Sequence, residues 1–373
     1  MANTNFAALT SEEKTAWSLE FWKMARNNSF INQFAGKGAN AMVQRVSELK
    51  KDEKGARAVM TLIADLTGDG ITGDYTLEGN EEAINSYEKV IRIDQLRNAN
   101  RIAGRLADQK SIVNFRETSR DVLAYWAADR IDQIAFLTLS GIAYTNKNNG
   151  GARPVLATGR NLGDLEYAAD VTAPTSNRHL RWVNAASDFD AGDTTAVVAA
   201  DKITYAALVR AKAHAKNQYM RGIRTGRNEE VFHVFVTPTA MADLKLDPDY
   251  MANVRNAAPR SKSNELFAGT TSVMVDGLVI HEFRHVFNTS GVAAPNKWGA
   301  GGAIDGCAAL MCGAQALGMA DIGTAYWDEE DFDYKNQIGI SVGKMCGFLK
   351  PAYHSIYTGG VEDFGVLRLD FAQ

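Results

Sequence analysis

The sequence predicts an α+β fold with more than one lobe. Three observations carry that expectation. A helical pattern of unusual length covers residues 111–139. Two strand patterns, at 55–66 and 90–94, flank a glycine-rich tip. From residue 202 onward, short helical and strand patterns are mixed rather than strictly alternating. At roughly 150 residues per domain, a chain of 373 residues implies two or three lobes.

The elements follow in order. Thr10, Ser11, Glu12 and Glu13 fit a capping box, in which the Thr10 hydroxyl accepts a backbone N–H and Glu13 reaches back. Trp17, Leu19, Phe21, Trp22 and Met24 come next, so a helix rich in rings is expected to about Arg26. Those rings need cover, either from the chain's own core or from a neighbouring subunit. A second short helical pattern lies at residues 40–51. Residues 55–66 then alternate, with Ala58, Met60, Leu62 and Ala64 on one side, as a half-buried strand requires. With the strand at 90–94 and glycines at 68, 70, 73 and 79 between them, the segment reads as a long protruding hairpin. A connection of that length in a compact domain is usually functional or ordered by something else.

In the long helix, Ile112, Phe115, Val122, Leu123, Trp126, Ile131, Ile134 and Leu137 lie on or near one stripe. Arg116, Arg120, Asp121, Asp129 and Asp132 fall largely elsewhere. Ser111 suits the N-cap and Ser140-Gly141 the stop. Its length of ~44 Å makes it a spine rather than an ordinary helix. Residues 144–193 are rich in glycine, asparagine and aspartate and are expected to be irregular. A helix at 202–217, a strand at 230–236 and a helix opening at Pro238 follow. Further strands are expected around Gly277 within 273–287, as one buried run at 307–320, and at 338–348 and 365–371.

Composition removes several function classes. Apolar residues are 46%, charged 23% and aromatic 9%, which excludes a disordered or collagen-like chain. Forty basic against forty-four acidic residues give a net charge of −4, without the basic excess of a nucleic-acid-binding surface. The longest uncharged run, residues 306–320, is fifteen residues, short of the ~20 a membrane span needs. Residues 1–14 lack the basic and apolar regions of a signal peptide. Cys307, Cys312 and Cys346 read as reduced thiols, not a disulfide frame.

Four motifs invite chemistry. His281-Glu282-Phe283-Arg284-His285 matches the H-E-x-x-H of zinc hydrolases, which needs a helix to bring both imidazoles to one metal. Its flanks are β-branched and aromatic and favour a strand, on which the two histidines would sit ~13 Å apart. Residues 65–76 match half a calcium loop, with Asp65, Asp69 and Gly70 in place but Thr67 and Thr76 where acids belong. Residues 339–344 are one short of a phosphate loop, and Met345 replaces the magnesium-binding hydroxyl. Cys307 and Cys312 lack metal-ligand spacing. The acid pairs Glu81-Glu82 and Glu329-Glu330 read as solvated. No catalytic constellation, metal site or cofactor site is expected.

Several blocks resemble a known family. Residues 77–83 (LEGNEEA) with 91–97 (IRIDQLR), then 264–269 (NELFAG), 277–282 (GLVIHE) and 363–369 (DFGVLRL), are similar in content and order to major capsid proteins of short-tailed (podovirus-type) bacteriophages. The resemblance spans nearly the whole chain. It implies the Hong Kong 97-type capsid fold. Residues 1–58 would then be an N-arm and 59–110 an E-loop hairpin. Residues 111–200 and 322–373 would form a peripheral domain, with the spine at about 111–139, and 201–321 an axial domain. It implies no enzyme activity and no cofactor. The function would be self-assembly, as pentamers and hexamers, into an icosahedral head that encloses double-stranded DNA without sequence-specific binding. Expected partners are further copies of the chain, a scaffolding protein, a portal protein and a decoration protein, with no membrane. Assembly would occur in the host bacterial cytoplasm, and the product would be the virion shell. Intersubunit contacts are expected at Trp17, Phe21, Trp22, Glu78, Glu81, Glu82, Arg92 and Arg97. The alternative is a cytoplasmic zinc hydrolase using His281, Glu282 and His285.

Overall fold

The computed structural model describes residues 11–46, 57–63, 66, 68–82, 86–110, 114–155, 161–225, 229–257, 272–355 and 358–373. The chain starts with α1 (Ser11–Asn28), a 3-10 turn (Ile31–Phe34), β1 (Ala35–Gly36) and β2 (Val43–Val46). A hairpin of β3 (Arg57–Ile63) and β4 (Ser86–Arg92) runs on into β5 (Asp94–Arg101). After α2 (Arg105–Lys110) comes the spine, α3 (Phe115–Ser140). Next are β6 (His179–Val183), β7 (Asp188–Ala191), α4 (Tyr205–Asn217), β8 (Ile223–Arg224) and β9 (Glu230–Val236). Two short helices, α5 (Pro238–Leu246) and α6 (Pro248–Ala257), precede β10 (Ser272–Val275) and β11 (Leu278–Glu282). The rest is β12 (Gly306–Cys312), β13 (Leu317–Phe332), β14 (Gln337–Leu349), β15 (Ala352–His354), β16 (Val361–Asp363) and β17 (Val366–Ala372).

Two sheets organise the molecule. One has the strand order β1-β2-β13-β14-β5. The other runs β10-β11-β9-β12-β17-β6-β7, with β8 paired to β9. Between them α3 packs on β14, β5 and β12, and α1 lies against both α3 and β13. The main core gathers Leu123, Ile134 and Phe136 of α3 with Phe235, Leu310 and Leu369 of the larger sheet. A second, smaller core lies beneath the β3–β4 hairpin, where Ala58, Met60, Leu62 and Ile91 meet Ala320 and Phe364. The alternation read for β3 is thus real: every second residue from Ala58 to Leu62 is buried.

The spine ends as its sequence dictates. Gly141 takes φ 68° and closes the helix, donating to the Leu137 and Thr138 carbonyls. Its N-cap is Asn114, whose side chain accepts the Arg116 N–H at 3.2 Å. The expected caps Ser111 and Thr10, with Ile112 and the 264–269 block, lie outside the described residues. At 26 residues the helix is about 39 Å long.

Four expectations change. Residues 43–46 form strand β2, not helix, because parallel pairing with β13 from Leu317↔Val43 to Ala320↔Val46 overrides helical patterning. The stretch 144–193 contains β6 and β7, which extend the larger sheet from β17. The small-residue run 307–320 is two strands in different sheets, broken at 313–316, and β13 continues to Phe332. Val122 is exposed rather than part of the buried stripe. In addition, β17, from the segment expected in a peripheral domain, sits between β12 and β6 in the middle of the larger sheet.

Candidate assembly interface

The eight residues expected at contacts fall into three places. Trp17, Phe21 and Trp22 lie on the face of α1 that meets α3 and β13. Trp17 stacks on Trp327 at 5.7 Å, and the Arg120 guanidinium sits 5.3 Å from its ring. Phe21 packs against the same Trp327 at 6.4 Å. The Lys344 ammonium lies 4.3 Å from the Trp22 ring, a cation–π contact, while it pairs with Asp321. Phe21 and Trp22 are 1% and 6% exposed, so the chain's own core covers them. Of the three rings, Trp17 alone keeps appreciable surface.

Glu78, Glu81 and Glu82 sit at the exposed tip of the β3–β4 hairpin. Two of them shape the tip. Glu82 accepts the Gly68 N–H at 2.7 Å, and Glu81 accepts the Gly79 N–H at 2.8 Å. Glu78 and Glu81 form no ion pair among the described residues. Residues 68–82 carry Asp69, Asp74, Glu78, Glu81 and Glu82 and no basic residue. The tip is therefore a local concentration of negative charge. Tyr75 and Leu77 stand out from it at 80% and 60% exposure.

Arg92 and Arg97 are at the hairpin base. Arg92 reaches Asp170 at 3.6 Å and stays half exposed. Arg97 lies flat across Gly343 of β14, where an added Cβ would meet the Arg97 Cγ at 2.9 Å. Arg97 and Arg101 alternate outward on β5, an edge strand of its sheet, so the base is a positive strip. One chain thus displays an acidic tip and a basic strip in separate places.

The H-E-x-x-H run makes no metal centre. His281 and Glu282 end strand β11, and His285 lies beyond it. His281 Nε2 is 2.9 Å from His233 Nδ1, whereas His285 Nε2 meets Asp129 Oδ1 at 2.7 Å. Glu282 faces Lys245 at 3.9 Å. Among the described residues no three His, Cys, Asp or Glu side chains are placed to hold a metal ion. Residues 339–344 lie inside strand β14. Asp65 and Thr67 of the half calcium loop are outside the described residues. All three cysteines are buried free thiols, and burial pushes those of Cys307 and Cys346 up to about 11. No helix among the described residues is long and apolar enough to cross a membrane.

Sequence reasoning missed several working residues. Asp132, assigned away from the apolar stripe, is buried and accepts from the Ser29 hydroxyl at 2.7 Å and the Phe30 and Ile31 N–H groups at 2.8 and 3.0 Å. Asp129 gathers His285, Arg284, Arg130 and Gln133 and is held below the usual carboxylate range, chiefly by the hydrogen bond from His285. Leu19, Val122 and Tyr125 leave apolar surface on the outside of α1 and α3. The 122/125 spacing, an apolar pair off the buried stripe, is the one signal that could have found them.

A family model described as phage capsid protein matches residues 5–373. The major capsid protein of Pseudomonas phage KPP25 is 56% identical over 368 residues, which are 98% of this chain and 96% of that protein. Among solved structures, the capsid of Ralstonia phage GP4 matches with a TM-score of 0.73 at 24% identity, covering 92% of this chain and 91% of that one. The capsid of Cyanophage Pam1 matches with a TM-score of 0.70 at 19% identity, over 100% of this chain and 96% of that one. At those identities the two structures speak for a shared fold.

Proposed function

This chain belongs to the phage capsid protein family, and from that premise we propose that its work is mechanical: copies of it interlock into the shell of a virion. Its role is structural rather than enzymatic. The observation that carries the reading is the 56% identity to a major capsid protein along 98% of the chain.

The contact chemistry we propose is self-complementary. The tip at residues 68–82 of one copy, all acid among its charges, lies over the strip of Arg92, Arg97 and Arg101 on the next. Tyr75 and Leu77 supply the apolar part of that contact, with exposed Leu19 and the remaining surface of the partly buried Trp17 on α1. Arg92 is already paired with Asp170, but Arg97 and Arg101 form no ion pair among the described residues, so the opposite charges of tip and strip favour a head-to-tail contact that closes into rings. We assign residues 1–58 to an N-arm, 59–110 to the E-loop, 111–200 with 322–373 to a peripheral domain and 201–321 to an axial domain. Pentamers and hexamers of this unit close an icosahedral head around double-stranded DNA. A net charge of −4 suits a wall that encloses DNA without gripping it. Scaffolding, portal and decoration proteins complete the particle, which is built in the bacterial cytoplasm.

Electron microscopy of the purified chain, expressed alone and with the scaffolding protein of the same phage, tests this. Closed megadalton shells are expected in at least one preparation. Small rings or open filaments in both would sink the reading.

A further inference from the structure

We propose that the imidazole pair His233–His281 is an acid-sensitive latch that holds the segment around Phe30 and Phe34 against the larger sheet. The strands β9 and β11 are parallel, with Val279 opposite His233 and His281 opposite Phe235. These four side chains therefore share one face of the sheet. On it His233 Nδ1 and His281 Nε2 are 2.9 Å apart. At that separation one neutral ring donates its N–H and the other accepts with its lone pair.

The segment after α1 covers the pair. Phe34 stands edge-on to both imidazoles, 4.9 Å from His233 and 5.1 Å from His281. Phe30 lies 6.1 Å from His281 and stacks on Phe283 at 4.2 Å. On its other side the same segment is tied to α3 by the three hydrogen bonds to Asp132. It is thus clamped between the spine and the sheet, and the histidines form the sheet half of the clamp.

Acid acts on the two halves differently. One added proton places a charge among phenyl rings while the N–H···N bond survives. A second leaves two donors facing each other and two like charges about 3 Å apart. Neither ring is hydrogen-bonded to a carboxylate among the described residues. The ionisable groups nearby are otherwise engaged. Glu282 faces Lys245, His285 faces Asp129, Arg45 of β2 faces Asp321, and the Cys312 thiol, opposite His233 on β12, is neutral. Burial pushes His281 down to about 4, with repulsion from His233 adding to it, and burial lowers His233 also. Release of the segment would lift the burial and raise both rings toward the ordinary imidazole value of about 6.5, while their mutual repulsion remains. The docked form is therefore fully favoured above that value and loses its advantage as pH falls toward 4. Asp132 is shifted up by burial, so protonation there does not favour release.

Hydrogen exchange of the full chain, read by mass spectrometry and corrected for intrinsic amide rates, tests the latch. Peptides over residues 29–36 are expected to lose about ten-fold in protection between pH 7 and pH 4.5, while the centre of α3 keeps its own. His281→Phe and His281→Gln remove the pair by different chemistry, and either one that folds is expected to flatten the response to within about two-fold. His285→Gln should leave it intact. A flat profile in the native protein overturns the proposal. So does a ten-fold loss that survives in a His281 variant, or one abolished by His285→Gln, which would assign it to the Asp129 pair.

Discussion

A single carboxylate on the inner face of α3, Asp132, satisfies a hydroxyl and two backbone N–H groups of the turn that follows α1. Asp132→Ala leaves those donors buried without an acceptor, at a cost of about 2–4 kcal/mol, measurable as a fall in the urea midpoint of the unassembled chain. The buried ion pair Arg178–Glu362, at 3.2 Å, is more exacting, because both side chains are almost wholly buried. Glu362→Gln strands a guanidinium whose Nε and Nη1 already lack partners among the described residues, and about 3–5 kcal/mol of stability should be lost in the same assay. Neither residue could be found from the sequence. An aspartate in a long helix and an arginine at the end of a short 3-10 turn carry no local mark of burial, since the Asp132 contact to Ile31 spans 101 positions and the Arg178–Glu362 pair 184. The tip carboxylates were legible for the opposite reason: a run of acids among glycines signals exposure by composition alone.

At the scale of elements, legibility followed length and period. The spine announced itself because 26 residues repeat a helical pattern long enough to outweigh chance, and the β3–β4 hairpin because period two is unambiguous over seven residues. β6 and β7 hid because they have five and four residues and borrow their stability from β17, which the local sequence cannot show. The turn at 313–316, where Gln315 takes φ 50°, similarly gives little warning of the break between β12 and β13, since it holds no proline and its one glycine sits in a run of small residues. The ring-bearing face of α1 showed apolar surface but not its owner; the tryptophan opposite, Trp327, is 310 residues on. Two element-level outcomes follow. Gly141→Ala forces an αL alanine whose Cβ would approach the Thr172 carbonyl oxygen at 2.5 Å. It should cost about 2 kcal/mol or more and lower the melting temperature by several degrees. Asp74→Lys with Glu78→Lys at the exposed tip should leave subunit stability within about 0.5 kcal/mol yet slow shell formation about ten-fold by light scattering. An unchanged assembly rate would remove the tip from the contact.

For the whole molecule, the proposed contact between an acidic tip and a basic strip predicts that assembly is an electrostatic encounter. Raising salt from about 50 to 500 mM shortens the Debye length from about 14 to about 4 Å, so the rate of shell growth should fall several-fold. A rate indifferent to salt would point to the apolar residues Leu19, Tyr75, Leu77, Val122 and Tyr125 as the whole of the contact. The position of β17 has a consequence in time. It lies between β12 and β6, and its Asp370 meets His179, 191 positions earlier in the chain, at 2.6 Å. While a ribosome is still making β17, β6 and β12 each wait with an open edge, and the larger sheet cannot close. Nascent chains crowded on one messenger RNA therefore cannot yet offer one another a closed larger sheet. Any contact between subunits that rests on this sheet has to wait until synthesis has moved past β17.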